Sequence, residues 1–261
     1  MVTSASPKPS PQTLPKVANL IAVASGKGGV GKTWFAITLA QAVAQRGRKT
    51  LLFDGDIGLA NVDIQLGLMP KHDLGAVLAG RLTLNQAAER FEDGGFDIIA
   101  GRSGSGNLSN IPVNRLQNLG RDLVMLSSAY DKVILDLGAG LERTVQQLIQ
   151  SAGTCLVVTT DEPTALTDAY AFIKLNHLEH PNLDMRIVVN MANSTREGER
   201  TYNTLLKACE GFLKISPPLA GVIRRDSKVR ESIRNQVPIL VRFPNCEAAL
   251  DVGEIAAKLV G

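Results

Sequence analysis

Seven short apolar runs rich in β-branched residues punctuate the chain at 20–24, 50–54, 96–101, 132–137, 155–160, 185–191 and 219–223. Several are apolar without alternation, as expected of a strand covered by helices on both faces. Between the runs lie helix-patterned segments such as 33–45, closed by Gly47, and 142–151. Strand followed by helix, repeated, predicts parallel neighbours, because each parallel pairing needs a crossover connection. The predicted fold is α/β: a single doubly wound domain whose mostly parallel sheet has about seven or eight strands flanked by helices. No internal repeat is visible.

The first sixteen residues depart from this pattern, with four prolines, several hydroxyl side chains and almost no apolar surface. Burial cannot offset the entropy of ordering such a segment. Residues 1–16 are therefore read as a flexible tail and 17–261 as the folded domain. A chain of 261 residues, 44% hydrophobic and 20% charged, suits one large domain and would crowd two. It contains neither a basic start leading into an apolar run nor an apolar stretch of about 20 residues, which predicts a cytoplasmic protein. Cys155, Cys209 and Cys246 form no C-x-x-C pair; they suggest buried thiols rather than a zinc or dithiol motif. A formal charge of +3 does not by itself point to nucleic acid.

Candidate chemistry begins directly after the first run. Gly26-Lys27-Gly28-Gly29-Val30-Gly31-Lys32-Thr33 contains the full G-x-x-x-x-G-K-T pattern, placed between a predicted strand and a predicted helix. Glycines let backbone N–H groups curl around phosphates, and the helix N-terminus adds partial positive charge. Lys32 would reach the β and γ phosphates of ATP, and the Thr33 hydroxyl would ligate Mg²⁺. Lys27 is a second cation in a loop that already has its phosphate lysine. It is either a solvated surface lysine or a group with a further task.

Two acidic segments follow. The second run ends in Asp54-Gly55-Asp56, at the strand end where α/β sheets bind ligands, although D-x-D is equally a turn or helix cap. The run 133–136 ends in Asp136 and leads into Gly138-Ala139-Gly140, the form of a metal-binding strand followed by a switch loop. Asp136 would accept from Mg²⁺-bound water, and Gly138 would let the backbone swing toward the γ-phosphate. No glutamate follows Asp136 to act as a strong general base, which predicts slow hydrolysis. Asn190 and Asp226 fall at the ends of late strands, as base-pocket residues or as structural Asx caps.

The loop K-G-G-x-G-K-T resembles that of the MinD/ParA family of deviant-Walker ATPases. That resemblance implies an ATP-dependent homodimer in which Lys27 reaches across to the partner's nucleotide. It also implies that Asp56 orients the attacking water, so Lys27, Lys32 and Asp56 form the expected catalytic set and Thr33, Asp56 and Asp136 the metal set. The edge carrying Asn190 and Asp226 would hold adenine. Trp34 departs from the family, where a small hydroxyl or amide residue usually follows the threonine. Its backbone N–H can still face the α-phosphate, while the indole either packs into the core or covers the nucleotide edge.

The segments 58–63, 159–170 and 188–191 look more narrowly like the FlhG/FleN type of flagellar number regulator, over about residues 18–250. That likeness implies a protein partner, an FlhF-like GTPase or a flagellar or polar component, and recruitment to a cell pole. The glutamine-containing segment that engages FlhF is not evident at the N-terminus. The helix expected at 250–260 has core-packing spacing and a single lysine, which argues against the membrane attachment seen in relatives. An alternative is a ParA-type partition ATPase that binds nonspecific DNA in its ATP state. Its motivation is the cluster Arg224, Arg225, Lys228, Arg230 and Arg234, diluted by Asp226 and Glu231.

Overall fold

The computed structural model describes residues 15–57, 59–101 and 111–260. Most of the expected tail, together with Gly58 and Gly261, lies outside the described residues. The first half runs β1 (Val17–Ser25), α1 (Lys32–Ala44), β2 (Thr50–Gly55), α2 (Val62–Leu66), α3 (Leu74–Leu78), α4 (Leu84–Ala87), β3 (Glu89–Phe91) and β4 (Phe96–Ile99). The centre follows with α5 (Val113–Ser127), β5 (Lys132–Ala139), α6 (Arg143–Ile149), β6 (Ala152–Thr159) and α7 (Pro163–Glu179). The chain closes through β7 (Asp184–Ala192), α8 (Thr195–Ala208), β8 (Leu219–Arg224), α9 (Ser227–Arg234), α10 (Ile239–Arg242) and α11 (Glu247–Val260).

All eight strands join one sheet in the order β3-β4-β2-β5-β1-β6-β7-β8. Every pairing is parallel except β3 with β4. Successive strand residues feed opposite faces, which is why these runs are apolar throughout. Leu20, Ala22, Leu51, Phe53, Val133 and Leu135 enter one buried layer with Leu123 of α5, Leu148 of α6 and Phe172 of α7. Ile21, Val23, Leu52 and Ile134 enter the other with Phe35 and Leu39 of α1 and Val252 and Ile255 of α11. The last helix thus packs against the sheet, as its spacing predicts.

The seven predicted strands all form, and the predicted helix at 33–45 appears as Lys32–Ala44 with Gly47 at φ 75°. The eighth strand, β3, was not foreseen. It is three residues long, carries Glu89 and Arg90, and pairs antiparallel at the sheet edge, where charge discourages further strand addition. Winding proceeds outward from β1 toward β2 on one side and from β6 toward β8 on the other. The carboxyl end of β1 therefore opens at a reversal of winding, the position at which open α/β sheets form a ligand crevice.

Candidate functional site

The loop between β1 and α1 is shaped by two left-handed glycines, Gly29 at φ 82° and Gly31 at φ 83°. A Cβ built on Gly28 or Gly29 would meet nothing within 4 Å, so both face open space. No side chain caps the N-terminus of α1, which suits an anion-binding end. The loop is also clamped from behind. A Cβ on Gly26 would fall 2.1 Å from the Asp168 carbonyl oxygen of α7, so only glycine permits this approach. Asn190 Nδ2 donates to the Val30 carbonyl at 2.8 Å, and Asn190 Oδ1 accepts from the Met191 amide at 2.9 Å. Asn190 thus reaches the expected site as a buttress of the phosphate loop, with both ends of its amide engaged.

A cavity of about 490 Å³ opens over the loop, lined among others by Lys27, Gly29, Lys32, Thr33, Trp34, Asp56 and Gly138. On its floor Lys32 Nζ lies 2.7 Å from Asp136 Oδ1, with both side chains buried. Burial pushes the Asp136 carboxyl above its usual range, with Lys32 and more weakly Thr33 opposing it. Asp136 Oδ2 is buried with no hydrogen-bond partner. Parallel pairing of β2 with β5 sets Asp54 opposite Asp136. Asp54 is fully buried, and desolvation, followed by the charges of Asp136 and Asp56, pushes its carboxyl up to about 7. Asp54 was overlooked as a functional group in the sequence. The D-x-D spacing does not separate the two acids, because positions two apart share a face of a strand; β2 ends at Gly55, so Asp54 stays inside the sheet while Asp56 leaves it. Asp56 is the outward one, half-buried at the cavity wall, with Oδ1 accepting from the Leu59 amide at 3.2 Å.

Lys27 sits at the rim. Within its own chain its Nζ contacts Glu162 Oε2 at 2.9 Å and Thr164 Oγ1 at 2.8 Å, at the start of α7. Gly138, expected to supply backbone freedom, lies within β5, and the left-handed residue is Gly140 at φ 83°. Asp226 is the N-cap of α9. Its carboxylate caps α9 through the Lys228 amide at 2.8 Å, and further bonds from the Glu247 and Ala248 amides hold its pKa below the usual range despite desolvation. Of the five clustered cations, Arg224 is spent on Asp251 and Glu247, and Lys228 on Glu231 and the Phe243 ring. Cys155 and Cys209 are buried and Cys246 is half-buried, donating to Asp226.

The family model for the CobQ/CobB/MinD/ParA nucleotide binding domain matches residues 21–239. The chain belongs to this family. Antiactivator FleN of Pseudomonas aeruginosa is 37% identical over 92% of this chain and 85% of its own. Flagellum site-determining protein YlxH of Helicobacter pylori is 32% identical over 92% and 81%. The septum site-determining protein MinD of Pyrococcus horikoshii, solved with Mg-ADP, superposes with a TM-score of 0.79 at 26% identity, covering 92% of this chain and 95% of that one. The MinD/ParA likeness read from the loop is thus shown, as is the doubly wound fold. No helix among the described residues is long and apolar enough to cross a membrane. The residues here fit a magnesium nucleotide: an uncapped helix end, a glycine loop with open space before it, and an orphaned carboxylate oxygen on Asp136.

Proposed function

We infer that this family member is an ATP-driven switch: it binds Mg²⁺-ATP in the cavity over residues 26–33, dimerises across the nucleotide and resets by slow hydrolysis. The observation that supports this most directly is the division of labour between the two loop lysines. Lys32 is buried against Asp136, whereas Lys27 stands at the rim, held by an exposed glutamate. A rim cation held by an exposed partner can exchange it for the phosphates of a nucleotide carried by a second subunit. Mg²⁺ bound with the nucleotide would supply charge neutralisation at the phosphates, with Thr33 and Asp136 as its protein contacts and Asp56 nearby. The N–H groups of residues 28–32 cradle the phosphates, Lys32 balances the charge that develops on bond cleavage, and Asp56 orients the attacking water. With Asp54 and Asp136 buried and no glutamate beside them, no strong general base is at hand, which suits a slow, partner-stimulated timer.

The likeness to FleN and YlxH supports a cytoplasmic regulator of flagellar number or placement, acting through a protein partner at a cell pole. The ParA-type reading with DNA ranks below it, because two of the five clustered cations are neutralised within the fold. The test is molar mass in solution with ADP and with ATP plus Mg²⁺. Asp56→Ala is expected to accumulate a dimer in ATP and Lys27→Ala to remain monomeric. A mass that ignores nucleotide in every variant overturns the switch.

A further inference from the structure

Two helices that line the cavity end against each other. α2 contributes its N-cap Asn61 and Gln65 to the lining, and α9 contributes Ile233. Both helices close in the same way, with a left-handed residue followed by an amide that reaches back into the last turn. In α2 the left-handed residue is Gly67 at φ 64°; its N–H donates to the Ile64 carbonyl at 3.3 Å, and the Leu68 amide donates to Asp63 at 2.9 Å. In α9 it is Gln236 at φ 55°, donating to Ile233 at 3.0 Å while Val237 donates to Ser232 at 3.1 Å. Glycine is the usual occupant of such a position, because a Cβ there is strained. α9 departs from that rule, and the Gln236 side chain gives the departure a use. Its Nε2 donates to the Ile64 carbonyl at 2.9 Å, across 172 positions. The facing turn has glycine for a matching reason: a Cβ on Gly67 would lie 3.0 Å from Gln236 Oε1 and 3.1 Å from its Cβ.

α2 is the element into which Asp56 leads, through residues 57–61. At five residues it is too short to hold its shape alone. Val62 and Leu66 bury its inner side in the α1 layer, and the Val62 amide reaches Asp54 Oδ2 at 3.4 Å. Its outer side, where Ile64 is exposed, is fastened to α9 by Gln236. Resting on the nucleotide reading above, we propose that Gln236 is a positioning residue for hydrolysis. It straps α2 to the end of α9 and thereby limits how far the segment carrying Asp56 can swing from the phosphates. Asp56 Oδ1 is bonded only to its own segment, at the Leu59 amide, so the place of that segment sets the place of the carboxylate.

The test compares the full chain at pH 8 with two variants. Gln236→Gly suits the left-handed turn and removes only the strap, and Gln236→Glu keeps the side-chain shape but has no N–H to offer Ile64. Without nucleotide, hydrogen exchange at the Gln65, Gly67 and Leu68 amides, all bonded within α2, should quicken about fivefold in both variants, the scale of one hydrogen bond. Exchange in β5 should not change. With Mg²⁺-ATP, kcat should fall by a similar factor in both while KM moves by less than about twofold, because the strap serves the reacting geometry and not ground-state binding. Unchanged exchange in α2 overturns the strap itself. Faster exchange with an unchanged kcat leaves a structural tie and overturns the positioning role, and so does a loss confined to KM. A kcat retained by Gln236→Glu overturns it as well, since that variant cannot make the bond. If calorimetry finds no nucleotide binding by the unmodified chain, the site reading fails and the positioning role falls with it, whereas the exchange result still reports on the strap. Should Gln236→Gly not fold, Gln236→Glu carries the test.

Discussion

Replacing Asp54 by asparagine should make the protein more stable at pH 8 than at pH 5 relative to the unmodified chain. Asp54 is fully buried, and its carboxyl is raised from 3.8 to about 7, first by desolvation and then by Asp136 across the β2–β5 register. A raised folded-state value means that the folded chain retains a proton that the unfolded chain has released. Stability is therefore lost as pH climbs from about 4 through about 7. At pH 5 the cost of holding Asp54 in the fold is about 1.7 kcal/mol, and by pH 8 it reaches about 4 kcal/mol, at 1.36 kcal/mol per unit. Asparagine removes this cost. Its amide cannot accept as freely from the Asp56 and Val62 amides, a constant penalty of about 1 kcal/mol that cancels between the two pH values. The variant's advantage should thus grow by roughly 2.5 kcal/mol from pH 5 to pH 8. Urea unfolding of both proteins with EDTA present measures this. A difference that changes by less than about 1 kcal/mol over that range would refute the buried, proton-holding carboxyl.

Three further outcomes follow from the same geometry. Gly26→Ala should lower stability by about 3 kcal/mol, because its Cβ meets the α7 backbone rather than a movable side chain; an unchanged thermal midpoint would contradict the close approach. Asn190→Ala should cost about 1–3 kcal/mol in denaturant unfolding by orphaning the Val30 carbonyl, and it should weaken nucleotide binding by loosening the loop. Lys32→Ala leaves Asp136 buried without its counter-ion and should cost about 3–5 kcal/mol at pH 8. Asp136 can escape by taking a proton, and its raised value rises further without lysine, so this loss should shrink toward pH 5; a loss independent of pH would argue against the pairing.

The strands were legible because two buried faces leave an unbroken apolar signal, and the phosphate loop because its backbone shape demands particular residue types at fixed spacing. β3 and the short helices α2 to α4 were not. Each is held by its neighbours more than by its own pattern, as when Asp73 and Thr83 cap four- and five-residue turns that would not persist alone. Asp226 has two readings in the sequence, base pocket or Asx cap, and the bonds it makes to the start of α9 and α11 are visible only in the fold. So is the contact of Lys27 with Glu162, which stands 135 positions away.

That separation bears on how the site works. Gly26 touches Asp168, Lys27 bonds Glu162 and Thr164, and Val30 is held by Asn190, so the loop is braced by α7 and the end of β7 at three of its first five residues. The motif specifies which backbone shapes are accessible, and these later elements select one. Two of the braces involve backbone, the Asn190–Val30 bond buried and the Gly26–Asp168 contact half-buried, whereas Lys27 joins exposed side chains, which solvent and counter-ions screen. Anything that draws Lys27 outward, as a second subunit's phosphates would, releases the start of α7 without disturbing the two backbone clamps. The phosphate cradle can then stay formed while the rim of the site rearranges, which is what the proposed switch would require in order to hold its nucleotide in both states.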